Sequence, residues 1–138
     1  MQAYNFKKVN LILTVNGQQI YITGFASGST IDVAHKSDKY TPHIGAKGDV
    51  SYAKSNDQSG TITFKTKSDS PSNPFLYSLD EADDEFDVLI VDGNDIGASK
   101  VNSSQCVMQK PADYTRGSDI QALTWTIGCA VVKTTYNS

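Results

Sequence analysis

Apolar and polar positions alternate with a period of two along most of the chain, the signature of strands that bury one face. In residues 7–25, "KKVNLILTVNGQQIYITGF", Val9, Leu11, Leu13 and Val15 fall on one face, and Ile12 stands alone among polar residues on the other. Asn16-Gly17 supplies two residues that tolerate positive φ, as a two-residue hairpin turn requires. The return strand sets Ile20 and Ile22 on one face and Tyr21 and Thr23 on the other. Gly24 and Gly28 flank Phe25, which predicts a bend or bulge before a third strand that turns Ile31 and Val33 inward.

Residues 35–48, "HKSDKYTPHIGAKG", lack periodicity and are expected to form a long loop. Compact domains reserve loops of that length for functional or disordered segments. Alternation returns through Val50 and Tyr52. After a polar turn at 56–60, "GTITFKTK" sets Ile62 and Phe64 against Thr61, Thr63 and Lys65, so 48–67 reads as a hairpin. One helix is expected. Ser70-Pro71-Ser72-Asn73-Pro74 stops the strand, with Asn73 as N-cap and Pro74 at the first helical position, and Phe75, Leu76 and Leu79 give an apolar face.

"FDVLIVD" (86–92) is a nearly continuous apolar strand bounded by Gly93-Asn94-Asp95, and "SKVNSSQCVMQK" (99–110) is a weakly alternating strand stopped by Pro111. The last strand is the longest. It sets Leu123, Trp125, Ile127, Cys129 and Val131 on one face and the small residues Ala122, Thr124, Thr126, Gly128 and Ala130 on the other. The expected fold is all-β, a sandwich or barrel with one short flanking helix, in a single domain over 1–138. Long exposed strand edges invite aggregation unless something pairs with them.

A chain of 138 residues hides roughly 68% of its unfolded surface, enough for a core without metals or staples. The net charge is −3, and six of the fifteen acidic residues lie in the run 80–87. Without that run twelve basic residues would outnumber nine acids. No Lys/Arg cluster suited to phosphates appears, which argues against tight nucleic-acid binding. The N-terminus lacks an apolar signal region and no run is long enough to span a membrane, so a soluble chain made in a cytoplasm is expected, with no membrane anchor. Cys106 and Cys129 have no metal-binding spacing. Two buried thiols is the default reading, and a disulfide between neighbouring strands is the alternative.

Candidate chemistry is sparse. His35 and His43 are eight apart with no accompanying ligand constellation, and read as solvated loop residues. "DGNDIG" (92–97) resembles the start of a calcium loop, but the ligand positions fall on Ile96 and Ser103, so a turn is the better reading. The acidic run reads as a solvated helix end, with weak divalent-ion binding the lesser alternative. Phe25 and Trp125 alternate in phase with aliphatic neighbours and are expected in the core. No nucleophile elbow, phosphate-cradling loop or zinc-protease motif is present. No catalytic residue, cofactor or metal site is expected, and the chain is not expected to be an enzyme.

The middle of the chain carries a resemblance. "GFASGSTIDV" (24–33) and "IGAKGDVSYAKSNDQSGTITFKTKSDSPSN" (44–73), followed by a helical "PFLYSL", are similar to tail tube proteins of contractile-tailed bacteriophages. The residues that carry it are Gly24-Phe25, Gly28, Ile31, Gly45-Ala46, Gly48, Ser55-Asn56-Asp57, Gly60, Ile62-Thr63 and the corner 70–73. "LTWTIGCA" resembles the family's closing strand, whereas 80–119 is not matched.

The resemblance implies a β-sandwich or barrel subunit that forms six-fold rings whose strands join around a lumen. Rings stack into a tube that conducts DNA during ejection without binding it specifically. The implied partners are further copies of the chain, a surrounding sheath protein, and baseplate and tail terminator proteins. The implied location is the virion tail, assembled in the bacterial host cytoplasm. The matching loop, 35–60, usually reaches the neighbouring ring, and Tyr40, His43, Lys47, Lys54, Asn56 and Asp57 are its expected contact residues. The rivals are the tube subunit of a bacteriocin or type VI-like injection system, a carbohydrate- or ligand-binding β-sandwich, and a small hydrolase with an unrecognised site.

Overall fold

The computed structural model describes residues 6–26, 28, 30–82, 85–94 and 98–136. After a 3-10 turn at Phe6–Lys8 come β1 (Val9–Val15), β2 (Gln18–Tyr21), β3 (Asp32–His35), β4 (Tyr40–Ile44), β5 (Val50–Lys54) and β6 (Gly60–Lys67). Helix α1 (Asn73–Ala82) follows, then β7 (Phe86–Asp92), β8 (Ser99–Lys110) and β9 (Ala122–Tyr136). Among the described residues, seven strands form one antiparallel sheet in the order β2-β1-β7-β8-β9-β6-β3, and β4 and β5 pair only with each other. The expectation of an all-β fold with one short helix holds.

The β1–β2 turn forms where expected, with Asn16 at φ 51° and Gly17 at φ 81°, the double positive φ of a type I′ hairpin. β2 and β3 are consecutive in the chain yet lie at opposite edges of the sheet. The stretch between them joins those edges. Ile22 N–H donates to the Leu11 carbonyl at 2.9 Å, while Ala26 N–H donates to Lys65 and Lys67 N–H to the Gly24 carbonyl, at 3.1 and 2.8 Å. One connection thus bonds to β1 and then to β6, and the sheet rolls into a barrel. Gly24 makes the bend possible, with φ +73° and an added Cβ only 2.5 Å from Ser70 Oγ.

Inward side chains of β1, β6, β7, β8 and β9 meet in one core, with Phe64, Trp125, Leu11, Leu13, Ile62 and Ile127 fully buried. Helix α1 lays Leu76 and Leu79 on that core, and Tyr77 packs edge-on against Trp125 at 4.7 Å between centroids. Phe25 is half-buried between Phe6 and Phe64, with both rings edge-on.

The corner before the helix is a buried polar network. Thr66 Oγ1 donates to Asn73 Oδ1 at 2.7 Å and accepts from Trp125 Nε1 at 3.0 Å. Asn73 Nδ2 donates to the carbonyls of Lys67 and Ser68 at 3.0 and 3.1 Å. Ser70 Oγ donates to the Thr23 carbonyl at 2.6 Å, and Ser72 Oγ accepts from Thr23 N–H at 2.9 Å. These contacts satisfy the polar groups that the corner buries.

Four expectations are corrected. Residues 35–48 are not a loop throughout, because Tyr40–Ile44 is a strand. The hairpin expected over 48–67 does not form, since β5 pairs with β4, and β6 pairs with β3 and β9. Asn73 is not the cap: the first intrahelical bond runs from Leu76 N–H to the Ser72 carbonyl at 3.1 Å, which puts Ser72 in the cap position and Asn73 inside the helix. Val132, not Val131, takes the core position late in β9. Pairing with β6 ends where Gly60 faces Cys129, and beyond it Val132 N–H turns to the Gln58 carbonyl. The Asp95–Gly97 part of the calcium-loop look-alike, and Asp83 and Asp84 of the acidic run, lie outside the described residues.

Candidate functional site: a projecting arm

β3 and β6 do not end as a hairpin at the sheet. His35 faces Gly60 and Lys36 N–H donates to the Ser59 carbonyl, 3.0 Å, in the sheet's register. Past that point Ser55 N–H donates to the Lys39 carbonyl at 2.7 Å, and Tyr40 through Ile44 pair with Lys54 through Val50. The two ribbons are one long hairpin whose pairing shifts by a residue across 37–39 and 56–58. Its outer part leaves the barrel as an arm.

Asp57 ties the shifted segment together. One carboxylate oxygen accepts the Ser37 hydroxyl at 2.9 Å. The other accepts the Ser59 hydroxyl at 2.6 Å and the Ser59 N–H at 2.9 Å. Asp57 N–H donates to Ser55 Oγ at 3.2 Å. The Ser59 side chain and backbone, then Ser37, and the nearby Lys36 charge lower the Asp57 pKa from 3.8 to about 2. Hydrogen bonds to the ionised form favour it.

Every residue of β4 and β5 is exposed. Register places Tyr40 opposite Lys54, Pro42 opposite Tyr52 and Ile44 opposite Val50. Because side chains alternate along a strand, these six share one face. Tyr40, Ile44, Val50 and Tyr52 are 50%, 76%, 53% and 67% exposed, and the two tyrosine rings meet edge-on at 6.4 Å. The opposite face carries Thr41, His43, Ser51 and Ala53. A two-stranded ribbon is marginal alone in water, and contiguous exposed apolar side chains mark an interaction surface.

Of the expected contact residues, Tyr40 and Lys54 lie on the apolar face, His43 on the polar face and Lys47 in the tip turn. Asn56 and Asp57 sit at the base, where the Asp57 carboxylate is engaged by its own chain. Sequence reasoning missed Pro42, Ile44, Val50 and Tyr52 as one surface. The alternation Tyr40-Pro42-Ile44 was available as a signal, but a central proline argues against a strand. In a ribbon of two strands each has an open edge, so a missing N–H there leaves no ladder partner unmet.

A second surface is the outward face of β6 and β9. Thr61 faces Gly128, Thr63 faces Thr126, Lys65 faces Thr124 and Lys67 faces Ala122. This wall is hydroxyl-rich, with Lys65 and Lys67 at one end and the Gln109 side chain over Gly128 at the other. No cluster of three or more metal-ligating side chains occurs among the described residues, and His35 and His43 lie on different strands.

A family model described as "Bacteriophage PhiTE tail tube protein" matches residues 1–136. No curated protein sequence matches the chain. Among solved structures, the fold is similar to a chain from the tail of an empty GTA particle, refined helically with C6 symmetry, at TM-score 0.66 and 12% identity, covering 99% of this chain and 100% of that one. It is also similar to the tube-terminating cap of an anti-feeding prophage, at TM-score 0.62 and 13% identity, covering 99% and 93%. A chain of the sheath–tube complex of an extracellular contractile injection system aligns at TM-score 0.59 and 16% identity, covering 92% and 88%.

Proposed function

The chain belongs to the bacteriophage PhiTE tail tube protein family, and from that premise we propose that six copies close into a ring and that rings stack into a tube which conducts DNA during ejection. It is a structural component of a phage tail, and its place is the virion. Assembly would take place in the host cytoplasm, with a sheath outside the tube and baseplate and terminator proteins at its ends.

The observation that carries this reading is the arm. A heterologous contact, in which an element of one copy enters a different surface of the next, closes into a ring or extends into a filament. The Tyr40–Tyr52 face is such an element, half or more exposed at Tyr40, Ile44, Val50 and Tyr52 among the described residues. Its docking on a neighbouring ring would bury Tyr40, Ile44, Val50 and Tyr52, with Lys54 beside them and His43, Lys47 and Asn56 at the margins. Asp57 acts at the base and sets the arm's direction. The hydroxyl-rich face of β6 and β9 suits a lumen. Its threonines are uncharged and offer duplex DNA no counterion release, with Lys65 and Lys67 confined to the end of the face beside Thr124 and Ala122.

Tyr52 is 67% exposed, so docking would remove about 130 Å² of a side chain that covers roughly 200 Å². At about 25 cal/mol per Å² that is about 3 kcal/mol per arm, or roughly a hundredfold in the association constant of one contact. Tyr52→Asp should leave the thermal midpoint of the subunit within about 2 °C, because the side chain lies outside the barrel core and touches only the exposed Tyr40 ring on the arm. The same change should raise the concentration needed for tube growth by at least about a hundredfold, read by sedimentation and electron microscopy. Tubes growing at the wild-type concentration would remove the arm from the assembly mechanism.

A further inference from the structure

Cys106 and Cys129 are direct register partners on adjacent antiparallel strands. Partners in such a ladder hold their Cα atoms about 4.5 or 5.5 Å apart, inside the range that a disulfide spans. Both side chains point into the core, 0% and 5% exposed, and the sulfurs lie 3.0 Å apart as free thiols. The placement depends on a bulge. Gln105 takes φ 52° and the pairing with β7 shifts between Phe86 and Val88. Ser103 and Cys106 therefore both face inward, which a regular strand does not allow for residues three apart.

We propose that Cys106 and Cys129 form a latent cross-strand disulfide that closes when the assembled protein leaves a reducing cytoplasm and meets small-molecule disulfides. Cys129 is the less buried of the two, 5% exposed against 0% for Cys106, which gives the exchange an order. Contact with Cys106 lowers the Cys129 pKa, while the Cys129 contact and burial push Cys106 up. Ser103 Oγ is buried with no hydrogen-bond partner among the described residues, so a developing charge on Cys129 would be its natural acceptor.

Cys129 loses its proton and its thiolate attacks one sulfur of the external disulfide, expelling one small thiolate. Cys106, deprotonated in turn, attacks the Cys129 sulfur of the mixed disulfide and expels the second. The protein gives up two electrons and two protons, and one external disulfide becomes two thiols. The closed bond joins residues 106 and 129 across the β8–β9 seam.

The test is incubation of the purified full chain with oxidised glutathione, followed by intact mass, thiol count and peptide mapping. The expected product is lighter by about 2 Da, for two hydrogens lost. It has no free thiol, contains a 106–129 cross-link, reverts with dithiothreitol and melts about 10 °C higher than the reduced form. Cys106→Ser and Cys129→Ser should each abolish the lighter species and leave at most a glutathione adduct. Two thiols that stay free, or a wild-type chain that stops at a glutathione adduct, would overturn the proposal. Because the readout is on the wild-type subunit, failure of tube growth does not affect it.

Discussion

Thr66→Val removes one hydroxyl while keeping the shape of the side chain. Thr66 is fully buried, and its hydroxyl both donates to Asn73 Oδ1 and accepts from Trp125 Nε1, at 2.7 and 3.0 Å. Valine leaves the indole N–H without an acceptor and the amide oxygen without its donor. Each buried orphan costs about 1–3 kcal/mol, and the methyl gained in place of hydroxyl returns about 1 kcal/mol. The net expectation is a loss of about 3 kcal/mol. For a domain of this size that lowers the thermal midpoint by about 10 °C. Trp125 is the single tryptophan and is fully buried, so urea unfolding followed by its fluorescence reads the effect directly. The midpoint should fall with the slope unchanged. Thr66→Ser, which keeps the hydroxyl, should lose only about 1 kcal/mol. A valine variant within about 0.5 kcal/mol of wild type would refute the view that this network fastens the helix corner to the barrel.

Asp57→Asn should loosen the arm at neutral pH, seen as faster hydrogen exchange at the amides of Lys36, Ser55 and Ser59, while the barrel amides keep their protection. Since the folded pKa of Asp57 is depressed to about 2, its contribution is present above the ordinary value of 3.8 and is lost as pH falls towards about 2. Wild-type exchange at the same amides should therefore approach the variant's, after correction for intrinsic rates, only below about pH 3; equal exchange of the two proteins at pH 7 would contradict this role. Gly24→Ala combines a left-handed φ with a Cβ 2.5 Å from Ser70 Oγ and 2.8 Å from Ser70 Cβ. It should cost about 2–4 kcal/mol in chemical denaturation, whereas a loss below about 1 kcal/mol would mean that the Ser70 corner yields freely.

Alternation revealed the barrel walls because most of those strands have one wet face and one dry face; β1 departs from this at Ile12, which is buried although it lies on the face opposite Leu11 and Leu13. Leu11 and Leu13, Ile62 and Phe64, and Trp125 and Ile127 are all in the core where period-two reading puts them. Asn16-Gly17 likewise fixed its own turn through local φ alone. Strand β4 escaped because both of its faces are exposed among the described residues, so no dry face marks it. Partner choice was also hidden. Nothing local tells Val50–Lys54 to pair back onto Tyr40–Ile44 instead of forward onto Gly60–Lys67. The Asp57 tie joins residues 20 apart in sequence, and the Thr66–Trp125 bond joins residues 59 apart, so neither leaves a motif. Asn73 was misread as the cap because a good capping residue also makes a good buried hydrogen-bonding hub, and the fold uses it for the second role. Within the arm, charged and polar loop residues drew notice, while the apolar face lay between them.

Electron cryomicroscopy of the purified wild-type chain over a concentration series, with and without baseplates as nuclei, tests the central claim most directly. Hollow tubes of uniform width are expected, with six copies per ring and the arm of each copy seated through Tyr40, Ile44, Val50 and Tyr52 on the next ring. A chain that stays monomeric at high concentration even on baseplates, or rings in which the arm stands free in solvent, would contradict the account.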